Sequence, residues 1–344
     1  MKQKLSDVQF DPDLSAGARN AVTVCLRIQP DEKVTIITDN DSKEIAASVA
    51  REVETVGASY NGWVLEDEAQ RPLRSTPKSI LDDLETSQVS IFAVCAQRNE
   101  LGSRMQMTEV VTRKRIRHAH MVNISKQIMM QGMRADFLLV DEVSTKVWNI
   151  AKSTRNIRAT TAAGTDVVAE LSGKYRWLKT SGIISPEKWG NLPGGEVFTA
   201  PDLVNGTFVI DGVVGDYLCA KYGNLMDAPL TIRIENTRLT EAYSENKELE
   251  DEFWRYTHTD ENSDRVGEFA IGTNIEIREV IGNILQDEKI PGVHIAFGNP
   301  YAEHTGANWY SSTHLDVVGT KFDIWADDRQ IMKKGKFELE GNGK

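Results

Sequence analysis

Two short apolar segments near the carboxyl end of the chain, Gly292–Tyr301 and His314–Asp316, constrain the fold most strongly. Both are typical of strands, and side chains on a strand alternate between its two faces. The His-x-Asp pattern therefore places His314 and Asp316 on the same face. His294 lies 20 residues before His314, a separation that one connection between neighbouring strands can span. If the two strands are neighbours, three potential metal ligands converge on one face of a sheet.

The first half of the sequence alternates between β-branched runs and amphipathic segments. Val34–Thr38 and Val89–Val94 predict buried strands, and Lys43–Val56 has apolar residues at helical spacing. We also predict strands at Tyr60–Leu65 and Phe137–Val140. Strands that alternate with helices are typical of an α/β layer with a mostly parallel sheet.

The second half of the sequence is richer in strand patterns. Thr207–Gly212 and Leu230–Ile234 alternate in hydrophobicity, while Lys247–Tyr256 predicts one short acidic helix. The predicted fold class is therefore α/β plus α+β. We expect an α/β domain over residues 1–185 and a β-rich catalytic domain, which carries the metal ligands, over residues 186–344.

Several features of the first half have a structural and a functional interpretation. Arg113–His120 is the one basic cluster, and we interpret it as a solvated helix face rather than an anion site. On a helix, His118 and His120 would point apart, so we do not expect them to be ligands. We interpret Asp39 as a helix cap rather than a ligand-binding residue, and we predict that Val167–Leu171 forms a helix.

Charge and composition exclude some classes of function. The net charge of −11 disfavours a nucleic-acid partner. Nowhere does the sequence reach the run of about 18 apolar residues typical of a membrane helix, so we expect no membrane partner. The three cysteines have neither metal-ligand spacing nor a disulfide framework. We therefore expect a cytoplasmic protein.

Two glutamates could complete a metal site with the histidines. Glu196 directly follows the glycine-rich turn Trp189–Gly195, and Glu268 interrupts an apolar strand pattern between two glycines. A carboxylate in a buried strand is costly unless it is paired or bound to a metal. The candidate ligands are Glu196, Glu268, His294, His314 and Asp316. They suffice for two divalent ions, and Tyr301 could donate a hydrogen bond to a developing oxyanion. Satisfied core histidines remain an alternative at this point.

Four blocks in this order carry a resemblance to a known family: Asn191–Pro201, Gly267–Asn274, His294–Tyr301 and His314–Asp316. The chain resembles the M29 metallopeptidases, the thermophilic-type aminopeptidases that use two metal ions. The resemblance covers the second half closely and the first half loosely.

The resemblance implies a role for each candidate residue. Glu196, Glu268, His294, His314 and Asp316 would be metal ligands, and Tyr301 and Glu196 would act in catalysis. The cofactors would be two divalent metal ions, Zn, Co or Mn. The substrate would be a small peptide or a small-molecule amide, and the protein would be a homodimer.

An alternative comes from the short relatives that the chain also resembles, the 2,5-dihydroxypyridine 5,6-dioxygenases. These use one Fe(II) on a face of two histidines and one carboxylate. The presence of both Glu196 and Glu268 favours the dimetal hydrolase over the iron enzyme. A small-molecule amidase and a binding protein that is not an enzyme are the further alternatives.

Overall fold

The computed structural model describes residues 4–339 of the chain. They form two compact units. The first contains the residues up to Leu138 together with Gly182–Gly194, and the second contains Leu139–Ser181 together with the residues from Gly195 onward. These limits differ from those of the predicted domains, 1–185 and 186–344, which remain a prediction.

The helices and strands are short and are numbered in chain order. The strands are β1 (Lys33–Thr38), β2 (Ser59–Val64), β3 (Val89–Val94), β4 (Arg117–Val122), β5 (Asn156–Thr160), β6 (Asp166–Glu170), β7 (Leu178–Thr180), β8 (Gly190–Asn191), β9 (Glu196–Thr199), β10 (Leu203–Ile210), β11 (Leu230–Glu235), β12 (Arg238–Ser244), β13 (Val266–Gly272), β14 (Gly292–Gly298), β15 (His314–Val318), β16 (Asp323–Ala326), β17 (Arg329–Lys333) and β18 (Lys336–Phe337). The α-helices are α1 (Ser15–Arg19), α2 (Lys43–Thr55), α3 (Leu65–Glu68), α4 (Lys78–Leu84), α5 (Leu101–Lys114), α6 (Lys126–Met130), α7 (Phe137–Ser153), α8 (Asp216–Tyr222), α9 (Lys247–Tyr256), α10 (Ile284–Asp287) and α11 (Ala302–Thr305). Three 3₁₀ turns lie at Leu5–Asp7, Pro12–Leu14 and Gly132–Arg134, and a π-helical turn lies at Asn20–Cys25. Within residues 4–339, no helix combines the length and the hydropathy that a membrane span requires.

The first unit is built on sheet A, whose strand order is β2-β1-β3-β4-β8. Its strands all run parallel, which confirms the predicted parallel sheet. The predicted strands at β1, β2 and β3 and the predicted helix α2 are all present. Every residue of β3 is buried, as expected of a strand that is covered on both faces.

The fourth strand of sheet A is not the segment that the sequence predicts. Phe137–Val140 is the start of helix α7. The buried face of this helix continues at helical spacing through Ser144, Val147 and Ala151. A short apolar run does not by itself distinguish a strand from a buried helix. The fourth strand is instead β4, which overlaps the second half of the basic cluster. Only the start of the cluster, Arg113 and Lys114, is helical, at the end of α5.

The predicted helix at Val167–Leu171 is also wrong. This segment forms β6, in which Val167 and Ala169 are buried while Asp166 and Glu170 are exposed. The segment is short, and its pairing with β5 and β10 stabilises the strand over the helix. The upstream Thr165 hydroxyl accepts a hydrogen bond from the Val209 amide, and it does not cap a helix.

The second unit contains two antiparallel sheets, which confirms the β-rich prediction. Sheet B has the order β12-β11-β10-β6-β5-β16-β17-β18, and sheet C has the order β15-β14-β13-β9-β7. The turn between β11 and β12 has Asn236 and Thr237 at φ 50° and 68°, as a two-residue hairpin turn requires.

The core of the second unit lies against one face of sheet C. The apolar side chains on this face belong to one buried cluster and include Val197, Phe269, Ile271, Val293, Ile295, Phe297, Leu315 and Val317. Burying an aliphatic or aromatic side chain of this size contributes about 1.5–3 kcal/mol. The period of two then directs the intervening residues of the same strands to the opposite face, where the candidate ligands lie.

Candidate metal centre

The register of sheet C brings the five predicted ligands to one face. Residues directly opposite each other on antiparallel strands share a face. On one neighbouring strand, each of the five lies opposite a glycine or an alanine: Glu196 opposite Gly272, Glu268 and Asp316 opposite Ala296, His294 opposite Ala270, and His314 opposite Gly298. The small partners leave the space above the sheet to the longer polar side chains.

Glu268 lies between the two histidines. Its Oε1 is 3.4 Å from His294 Nε2, and its Oε2 is 3.9 Å from His314 Nε2. His294 Nε2 is also 3.5 Å from Glu196 Oε2, and His314 Nε2 is 3.4 Å from Asp316 Oδ1. The structure thus brings all five side chains together, and their assignment as ligands remains a prediction.

His294 provides a test of whether a metal ion fits here. Its side chain is 1% exposed, and neither ring nitrogen has a hydrogen-bond partner. Burying polar groups without partners is costly, so an unpartnered imidazole among carboxylates requires an explanation. Ligands that share a tetrahedral ion at about 2.0–2.2 Å lie roughly 3.4 Å from each other. The distances from His294 Nε2 to Glu268 Oε1 and from His314 Nε2 to Asp316 Oδ1 are both 3.4 Å and have this size, so the residues fit a divalent ion.

The ring of His314 is held so that one nitrogen faces the carboxylates of the site. Its Nδ1 donates to the carbonyl oxygen of Asn299 at 2.9 Å, which leaves Nε2 to face Glu268 and Asp316. A hydrogen bond of this kind fixes the tautomer of a metal-binding histidine. Burial would lower the pKa of His314, but Asp316 and Glu268 outweigh it and raise the pKa to about 10. The site thus stabilises a positive charge at this position.

The sequence interpretation missed two residues of the site, Glu288 and Lys289. The Nζ of Lys289 lies 2.6 Å from Glu196 Oε2 and 2.6 Å from Glu288 Oε1. Potential ligand atoms of Glu288, His294 and Asp316 lie within 4.8 Å of one another, as do those of Glu196, Glu268 and His294. The missed pair falls in a polar stretch that is typical of an exposed turn, so the sequence offered no signal beyond its nearness to His294.

Burial and the Lys289 ammonium shift the pKa of Glu196 in opposite directions. Burial would raise the pKa of this carboxyl, but the Lys289 ammonium and His294 hold it below its usual value. Its Oε1 also accepts a hydrogen bond from the Thr180 hydroxyl at 2.8 Å. Glu196 is therefore an ionised carboxylate with a fixed orientation.

Tyr301 lies beside His314. Its ring centroid is 4.5 Å from that of His314 and 6.3 Å from that of Phe198, and the residue is 43% exposed. Its backbone is in the left-handed region, at φ 49°. Such strain in a non-glycine residue is often found at functional sites. Tyr301 thus combines contact with the site and access to solvent.

The two other histidines that the sequence placed in a pattern are in the first unit. His118 and His120 lie on β4, not on a helix, so their side chains share a face, with Nε2 of His118 3.1 Å from Nδ1 of His120. Burial lowers the pKa of His118 to about 3. Neither belongs to a group of potential metal ligands within residues 4–339.

Asp39 has a structural role, but it does not cap α2, whose N-cap residue is Ser42. The Oδ1 of Asp39 accepts a hydrogen bond from the Ser42 amide at 2.8 Å, just before α2. Its Oδ2 accepts from Arg71 Nη1 at 2.8 Å and from the Cys95 amide at 2.7 Å. The same carboxylate thus fixes the helix and the end of β3.

The face of sheet C therefore has the composition of a divalent metal centre, held by a β-rich unit. The chain belongs to the family of thermophilic metalloproteases, M29, whose sequence model matches residues 142–337, more than half of the chain. The matched segment contains all five predicted ligands. Membership in this family supports a metal-dependent peptidase.

Solved structures share the fold over nearly the whole chain. A 2,5-dihydroxypyridine dioxygenase from Pseudomonas putida is 14% identical, with a TM-score of 0.69 and coverage of 94% of this chain and 96% of that one. Wild-type AmpT from Thermus thermophilus is 17% identical, with a TM-score of 0.67 and coverage of 96% and 100%. No curated protein matches the chain. At these identities the structural likeness shows the fold alone.

Proposed function

We propose that the protein is an aminopeptidase that releases N-terminal residues from small peptides. The observation that carries the proposal is His294, a buried imidazole without a hydrogen bond that faces two carboxylates in a member of a metalloprotease family. The residues that would hold a metal ion are Glu268, His294, His314 and Asp316. An ion bound there would supply a Lewis acid that polarises a carbonyl and lowers the pKa of water.

Other residues of the site would position and move the reacting groups. The Asn299 carbonyl holds the ring of His314, and Thr180 and Lys289 hold the carboxylate of Glu196. Glu196 would accept a proton from the water that attacks the peptide carbonyl. Tyr301 would donate a hydrogen bond to the oxyanion that develops on the carbonyl oxygen.

The charge of the site favours a substrate with a free amine. Four carboxylates, Glu196, Glu268, Glu288 and Asp316, lie in the site, and Lys289 together with one divalent ion would offset three of their negative charges. A peptide's α-ammonium group is attracted to such a surplus of negative charge, whereas an acetylated terminus is neutral. This difference distinguishes an aminopeptidase from an amidase or an endopeptidase.

We expect the protein to release leucine from Leu-Gly-Gly and to act at least about 30-fold more slowly on acetyl-Leu-Gly-Gly. The factor corresponds to the roughly 2 kcal/mol that loss of a desolvated charge pair costs. The measurement is kcat/KM for both peptides, determined by chromatography of the products. Equal rates on the two peptides would contradict the aminopeptidase proposal and favour an amidase.

A second candidate function is supported by one observation. Potential ligand atoms of His294 and Asp316 lie within 4.8 Å of each other, and His314 Nε2 is 3.4 Å from Asp316 Oδ1. Two histidines and one carboxylate suit a mononuclear Fe(II) oxygenase. A ring-cleaving dioxygenase is therefore the alternative. The homodimer and the cytoplasmic location remain predictions from the resemblance and from the sequence.

A further inference from the structure

Lys289 is a fully buried ammonium group inside the candidate metal centre. Its side chain is 1% exposed and is among the largest fully buried side chains within residues 4–339. An isolated buried charge is costly, so it must be compensated by close partners of opposite charge. Lys289 has two such partners, Glu196 and Glu288, each at 2.6 Å from its Nζ.

The backbone fixes the position of this ammonium. The Lys289 amide donates to the Gln286 carbonyl, and the Lys289 carbonyl accepts from the Asn274 amide. The backbone at Lys289 and Ile290 lies directly against Gly272, where a Cβ atom would lie 2.0 Å from the Ile290 carbonyl oxygen. Lys289 is therefore held in place and is not a surface lysine that has folded inward.

The ammonium contacts the one oxygen of Glu196 that faces His294. Oε2 of Glu196 is the atom that lies 3.5 Å from His294 Nε2, and Oε2 is also the atom that accepts from Lys289. Oε1 accepts from Thr180. Both oxygens of Glu196 thus already have a donor, and the one that could join a second metal ion is paired with a cation.

We infer that the ammonium of Lys289 takes the place of a second metal ion, so that the centre holds one divalent ion per chain. Glu268, His294, His314 and Asp316 would ligate that ion, and Glu196 would not. A second divalent ion at Glu196 would share an oxygen with the ammonium, and the two like charges would repel each other in a buried site. The inference rests on the metal centre of the proposed function but is independent of the substrate.

The test is the number of Mn²⁺ ions bound per chain, measured by elemental analysis and by electron paramagnetic resonance. We expect the wild-type protein to bind one ion and to give the spectrum of isolated Mn²⁺. In Lys289→Met the ammonium is lost, and we expect the number to rise to two, with a spectrum of exchange-coupled ions. Two coupled ions in the wild-type protein, or one ion in Lys289→Met, would overturn the inference.

Lys221→Met is the matched control, because Lys221 also bridges two glutamates, Glu248 and Glu252, but lies outside the site. It should bind one ion. If Lys289→Met fails to fold, Glu196→Gln decides instead: the inference predicts that one ion remains, and loss of an ion contradicts it. One bound ion without peptide hydrolysis would refute the proposed function and leave this inference standing.

Discussion

Replacing Glu268 with glutamine will empty the metal centre and lower kcat/KM for peptide hydrolysis by at least about a thousandfold. Glu268 is buried and directs one oxygen at His294 and the other at His314. Glutamine keeps the size of the side chain but removes its negative charge. A bound metal ion stabilises the transition state by several kcal/mol, and about 4 kcal/mol corresponds to a thousandfold in rate.

The measurements are metal content by elemental analysis and kcat/KM on Leu-Gly-Gly. His314→Ala should behave in the same way, because it removes a neighbouring ligand. Glu248→Gln is the control: its carboxylate is on the exposed side of α9, where it pairs with Lys221, and both quantities should stay at the wild-type level. Full metal content and full activity in Glu268→Gln would show that Glu268 is not a metal ligand.

Replacing Gly272 with alanine will destabilise the protein and disable the site together. A Cβ atom at this position would lie 2.0 Å from the carbonyl oxygen of Ile290 and 2.9 Å from the carbonyl carbon of Lys289. Both are backbone atoms, so the segment that carries Lys289 must move. Overpacking of a buried position costs about 1–3 kcal/mol or more, and we expect at least about 2 kcal/mol in the free energy of unfolding.

Urea denaturation and peptide hydrolysis measure the two effects. Gly102→Ala is the control, because a Cβ there would lie 3.8 Å from its nearest neighbour and alanine is the better helix former. Its stability should stay within about 1 kcal/mol of the wild type. If Gly272→Ala unfolds at the wild-type urea concentration and keeps its activity, the close approach at Ile290 does not position the site.

The alternation of side chains on a strand made the centre of the site predictable. His314 and Asp316 share a face because they are two residues apart, and Glu268 was conspicuous because a carboxylate interrupts an apolar strand. These are local signals, and they need only the register of sheet C to bring the residues together. That register matches small residues to large polar ones, which could not be inferred from any single segment.

The parts that were predicted wrongly depend on partners far away in the sequence. Val167–Leu171 is too short for its hydrophobic pattern to distinguish a helix from a strand. Its pairing with β5 and β10 makes it a strand. The second half of the basic cluster is part of β4 because the segment pairs with β3 in sheet A. Glu288 and Lys289 have the composition of a surface turn, and only the fold shows that Lys289 is buried against Glu196 and that Glu288 pairs with it.

The most direct test of the account is a pair of assays on metal-free protein after divalent ions are added back. Zn²⁺, Co²⁺, Mn²⁺ and, without air, Fe²⁺ would each be added, followed by measurement of Leu-Gly-Gly hydrolysis and of oxygen uptake with 2,5-dihydroxypyridine. We predict hydrolysis that requires an added metal ion, with no oxygen uptake. Oxygen uptake with iron and no peptide hydrolysis under any metal would contradict the aminopeptidase proposal, and hydrolysis that persists without metal would contradict the role of the metal centre.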